Sequence, residues 1–96
     1  MMTEVGLKGM ALVLGEVAQE RTRQDAKWGA NRNHHPFVWL AILGEEVGEA
    51  NEAALESNFG GTATFEEYRA ELVQVAAVAV AAIEALDREN GRETAK

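Results

Sequence analysis

Cysteine is absent from this 96-residue chain, and proline occurs once. The first absence excludes a disulfide framework, a thiolate zinc site and cysteine nucleophile chemistry, and it fits a reducing compartment. Positive charge is scarce: nine Lys/Arg stand against sixteen Asp/Glu, for a net charge of −7. Such a chain repels phosphate backbones, so a nucleic acid polymer is not an expected partner. Long hydrophobic runs are also missing. The longest, Val75–Ile83, has nine residues, well below the ~20 that a membrane span needs. The opening MMTEVGLKGMALVLGEV carries no basic leader and no cleavage signature. A cytoplasmic protein without a membrane partner is therefore expected.

What is present has helical periodicity and no strand-like alternation, so the expected class is all-α. Leu7, Met10, Leu14 and Val17 recur at spacings of three and four, the period of one helix face. This predicts a first helix from about Thr3 to Trp28, stopped by Gly29. The polar loop GANRNHH follows. Pro36 suits the first turn of a second helix, expected to reach about Glu56. The pair Gly60-Gly61 breaks the chain. Thr64 and Glu67 have capping-box spacing and open a third helix, expected to run to about Asn90 and stop at Gly91. Residues 1–91 thus read as one domain, with Arg92–Lys96 a polar, disordered tail.

Between Leu72 and Ile83 the only polar side chain is Gln74. A helix that apolar needs cover on nearly all sides. Three helices cannot easily surround one of their own, which predicts self-association.

The acids are informative when placed on helical wheels. Measured from Glu46, Trp39 lies at about 20°, Ala50 at about 40°, Leu43 at about 60° and Ile42 at about 320°. Glu46 therefore lies inside the apolar stripe. Glu49 lies at its edge, at about 300°, and Glu45, Glu52 and Glu56 lie further round. Measured from Glu71, Val75 lies at about 40°, Ala82 at about 20° and Val78 at about 340°, with Gln74 at the edge at about 300°. Each helix repeats one pattern: an acid in the stripe, then a polar residue three positions on.

An ionised carboxylate buried without a partner is costly. A hard divalent cation, Mg²⁺ or Mn²⁺, would resolve two such acids facing one core. An ion pair with Arg21 or Arg23 would also do so, and a solvated face explains the remaining acids of Glu45–Glu56. Neither His34 nor His35 has an acid three positions before it, so the Glu-x-x-His iron motif is missing.

Arg21, Arg23, Lys27 and Arg32 fall close together, with Arg23 and Lys27 one turn apart. Beside a metal these cations could meet phosphates; as a plain helix end they complement the helix dipole. Trp39 reads as core. Trp28 and the histidines could meet a nucleobase or be ordinary loop residues. Gly60-Gly61 lacks the lysine and spacing of a phosphate-binding loop.

Glu45-Glu46-Val47-Gly48-Glu49, followed by Glu71 twenty-two positions after Glu49, resembles the E-E-x-x-E…E-x-x-D signature of MazG-like, all-α nucleoside triphosphate pyrophosphohydrolases. The stretches ERTRQDAKWG (Glu20–Gly29), with His35 and Trp39 after it, and YRAELVQVAAVAV (Tyr68–Val80) are also similar to small phage-type and bacterial members. The resemblance implies a four-helix-type core completed by dimerisation, sometimes of dimers into tetramers. It implies Mg²⁺-dependent cleavage of a (deoxy)nucleoside triphosphate to monophosphate and pyrophosphate. It assigns Glu46, Glu49 and Glu71 to the metal, and Glu45 to a ligating or water-orienting role. Arg23 and Lys27 become phosphate contacts; Trp28 and His35 stay candidate base contacts by their ring chemistry alone. Gln74 stands where the family has its final aspartate. An amide oxygen can still ligate but brings no charge, so the resemblance also admits a non-catalytic nucleotide-binding or assembly module that keeps the fold.

Overall fold

In the computed structural model, which describes residues 4–59, 61 and 63–91, three helices follow in order. They are α1 (Glu4–Trp28), α2 (Pro36–Asn58) and α3 (Phe65–Glu89), and no strand occurs among the described residues. The expected start at Thr3, the Gly60 half of the breaker and the tail Arg92–Lys96 lie outside them. No described helix is long and apolar enough to cross a membrane.

The helix ends follow local chemistry. Gly29 takes φ +96° and its N–H donates to the Asp25 carbonyl at 2.8 Å, closing α1 in a left-handed turn that costs other residues strain. Pro36 opens α2 at a position whose N–H would be unpaired anyway. Thr64 Oγ1 accepts the Glu67 N–H at 3.1 Å and caps α3. Gly61 donates to the Glu56 carbonyl at 2.8 Å. A Cβ there would stand 2.7 Å from that of Glu56, so only glycine makes the turn.

α3 is central, packing against both α1 and α2, which do not meet each other closely. Trp39, early in α2, packs with Val78, Ala81 and Ala85 of α3, flanked by Ile42, Leu43 and Ala82. Glu49, later in α2, meets Glu71 nearer the start of α3. The two helices are therefore antiparallel. Small side chains (Ala50, Ala53, Ala77, Ala81 and Ala85) fill most of the buried positions. Trp39 is the one large buried group among the described residues, and cutting it to alanine would cost about 3–5 kcal/mol.

α1 departs from the expected stripe. Of Leu7, Met10, Leu14 and Val17, only Val17 is buried. Burial on α1 begins at Glu16, because α3 covers only the second half of the helix. On α3 itself Ile83 and Leu86 remain about half exposed, at 58% and 50%. The radius of gyration, 15.3 Å, exceeds the ~13 Å of a compact chain of this length. One copy of these helices leaves much of its apolar surface uncovered.

Candidate metal centre

Glu46 and Glu49 are one turn apart on α2, and α3 sets Glu71 opposite them. One carboxylate oxygen from each of the three lies within 4.8 Å of the other two. Glu49 is exposed, and Glu46 and Glu71 are half-buried. One oxygen of each half-buried acid, Glu46 Oε2 and Glu71 Oε2, is shut from solvent without a hydrogen-bond partner. Burial raises the Glu46 carboxyl above its usual range, and the charges of Glu49, Glu71, Glu45 and Glu20 raise it further. Glu71 is raised by burial, then by the charge and the facing carboxyl of Glu49. Two carboxylates can share such a contact as a hydrogen bond only when one holds a proton.

Arg21 and Arg23 are engaged elsewhere. Arg21 pairs with Asp25 at 2.8 Å and Glu84 at 2.7 Å. Arg23 pairs with Glu20 at 2.6 Å. The ion-pair account of Glu46 and Glu71 through Arg21 or Arg23 is therefore not the arrangement found. What remains is a concentration of negative charge with two orphaned buried oxygens. An all-oxygen donor set of this kind suits a hard divalent cation.

Two recesses adjoin the acids. One, of about 310 Å³, is lined by Glu49, Glu71, Glu52, Glu56 and Glu67. The other, of about 420 Å³, is lined by Glu45, Glu46, Gln24, Trp28, Arg32 and His34, with Ile42 and Val78 beneath. Glu46 lines the second recess only, and its carboxylate meets those of Glu49 and Glu71 at the edge of the first. Glu45 is exposed beside it.

The other expected residues scatter. Gln74, one turn beyond Glu71, is half-buried and lines a groove of about 660 Å³ between α1 and α3, together with Arg23 and Arg69. Lys27 places its ammonium 4.7 Å from the ring centre of Trp28. Trp28 is 52% exposed and walls the Glu45–Glu46 recess. His35 is turned to the helix start, where its Nδ1 accepts the Phe37 N–H at 3.1 Å and caps α2, with its ring against Phe37. His34 lines the recess instead, its ring 4.9 Å from that of Trp39.

Spacing does not single out Gln24, Arg32 or His34 for this recess. Gln24 is within reach of the wheel test that marks Glu46, since it falls about 20° from Val17 on the buried side of α1. Arg32 and His34 sit on a loop, where periodicity says nothing. Comparison of the chain with protein families, curated proteins and solved structures finds no match.

Proposed function

We propose that this chain is a divalent-cation-dependent nucleotide pyrophosphohydrolase of the MazG-like kind, acting on a (deoxy)nucleoside triphosphate as a homo-oligomer. The observation that carries the reading is the meeting of Glu46, Glu49 and Glu71 with two sealed, unpartnered carboxylate oxygens. These three residues would hold Mg²⁺, with Mn²⁺ an alternative of similar hardness. When bound, the cation supplies neutralisation of phosphate charge and a more acidic water.

The chain's own groups supply the rest. Glu45, exposed beside Glu46, accepts the proton of a water attacking the α-phosphorus. The new bond joins the water oxygen to that phosphorus, the bridge to the β-phosphate breaks, and pyrophosphate departs. Arg23 and Lys27, the phosphate contacts that the resemblance implies, would meet the departing charge, Lys27 from beside Trp28 and Arg23 from the α1–α3 groove. Arg23, itself 59% exposed, must first release Glu20, whose side chain is only 13% exposed. The uncovered apolar residues of α1 and α3 support self-association, and sedimentation of the chain reads the number of copies.

The test is incubation of nucleoside triphosphates with Mg²⁺ and analysis of products. Monophosphate and pyrophosphate in equal amounts are expected. Orthophosphate alone would mean a different bond is cut. A second reading, a nucleotide-binding or assembly module without turnover, is favoured by Gln74, whose side chain lines the α1–α3 groove and not the recess of Glu49 and Glu71. The substitution Gln74→Asp separates the two: activity appearing only in the variant supports the module.

A further inference from the structure

Gln24 is the one buried polar residue among the described residues, with 3% of its surface exposed. Its amide oxygen has no hydrogen-bond partner. A buried amide carbonyl left unpaired opposes folding, so such a group is retained where something else pairs with it. It lines the recess that Glu46 also borders. The opposite chemistry of that recess is aromatic and cationic. Trp28 offers an exposed indole, with the Arg32 guanidinium 5.7 Å from its ring centre and 5.3 Å from that of Trp39. The loop is fastened: Arg88 donates to the Arg32 carbonyl at 3.0 Å and to Asn33 Oδ1 at 3.3 Å.

We infer that this recess seats a nucleobase against Trp28 and that Gln24 is its specificity-determining residue, the amide oxygen accepting an N–H from the ring's edge. A flat wall favours a flat ring. A fixed acceptor that nothing else satisfies discriminates against a ring that lacks the donor. Glu46 borders this recess and its carboxylate meets those of Glu49 and Glu71, so a ring seated here has its phosphates near the three acids. This deepens the nucleotide reading and rests on it for the identity of the ring, but not on the cation or on hydrolysis.

The test uses the whole chain in chelator, without metal, and follows tryptophan fluorescence with nucleosides. Two matched pairs serve as probes: adenosine against purine riboside, and uridine against N3-methyluridine. Each pair differs in one donor group, the amino group of adenosine and the N3–H of uridine. Saturable quenching is expected in the millimolar range or below, with the donor-bearing member of at least one pair preferred by about tenfold. Gln24→Met, similar in length and without polar atoms, should bring that pair to near equality without lowering the melting temperature. The preference is a ratio measured within one variant, so it does not depend on how much of that variant is folded. Absence of saturable binding, equal binding within both pairs, or a preference that survives in Gln24→Met would each overturn the inference. Binding with the expected preference but no Mg²⁺-dependent hydrolysis would sink the catalytic reading alone. Hydrolysis without the base preference would sink this one alone.

Discussion

The acids on the two sides of α3 live in opposite circumstances. On the α1 side, Glu16, Glu20, Asp25 and Glu84 each meet an arginine at 2.6–2.8 Å. On the α2 side, Glu46, Glu49 and Glu71 meet one another. The consequences for protonation have opposite signs. Arg69 holds the Glu16 carboxyl below its usual range, whereas Glu46 and Glu71 are held above theirs. A chain with seven more negative than positive charges must leave acids unpaired somewhere. Dispersal over the surface would be the cheapest arrangement. Concentration at one half-buried seam is costly to the empty fold, and a cation at that seam would recover the cost.

The largest expected effect breaks the comparison most directly. Glu46→Gln keeps the shape and removes a charge, and it should lower Mg²⁺-dependent hydrolysis by about a hundredfold or more. Glu84→Gln removes one acid from the paired side and should leave turnover within a few-fold. Equal losses in the two variants, measured as pyrophosphate release, would mean the two sides are not functionally different.

Next in size is the response to the ion itself. Mg²⁺ at a hundred times its dissociation constant should stabilise the wild-type chain by about 2.7 kcal/mol, read as a rise in melting temperature. Glu46→Gln and Glu71→Gln should lose most of that rise, and Glu84→Gln should keep it. A rise that survives in both glutamine variants at the seam would place the ion elsewhere.

Protonation sharpens the same contrast without metal. A carboxyl whose value is raised in the fold binds its proton more tightly there than in the unfolded chain. Its stabilising contribution is complete below the ordinary carboxylate range and is lost as pH rises through the raised values of Glu46 and Glu71. The metal-free protein should therefore gain stability on mild acidification from neutral pH, and Glu46→Gln should flatten that gain. Glu16 works the other way, its contribution being lost only as pH falls through its lowered value. With Mg²⁺ present the trend at the seam reverses, because protons compete with the cation. Denaturant midpoints across pH, with and without Mg²⁺, read both slopes.

Helix existence and most boundaries are legible in the sequence because caps are local: Gly29, Pro36, Thr64 and Gly91 each act on their own neighbours. The inward placement of Glu46 and Glu71 is legible for a different reason, since a wheel needs only the pitch of one helix. Their approach to within 4.8 Å is not, because it depends on the register of α2 against α3. The stripe Leu7–Leu14 shows the reverse case. Its period is right, but a period names a face and not what covers it, and α3 reaches only the second half of α1. The division of labour between His34 and His35 is also out of reach: adjacent loop residues part company through one backbone hydrogen bond, Phe37 N–H to His35 Nδ1.

The smallest effect tests whether the paired side is as quiet as its geometry implies. Arg69 grips Glu16 with two hydrogen bonds, at 2.7 and 2.6 Å, joining α1 to α3. Both side chains are nevertheless about half exposed, at 53% and 42%, so water and salt screen the pair. A double-mutant cycle with Glu16→Gln and Arg69→Gln should give a weak attractive coupling that fades as salt is raised. The matching cycle at Glu46 and Glu71, run without metal, should give the opposite sign: each glutamine stabilises, and the second adds less than the first because the repulsion is already relieved. Its salt dependence should be shallower, since half-buried charges are screened less. An attractive coupling at the seam would mean that the two acids already share a proton at neutral pH, and that hydrogen, not a cation, relieves their repulsion.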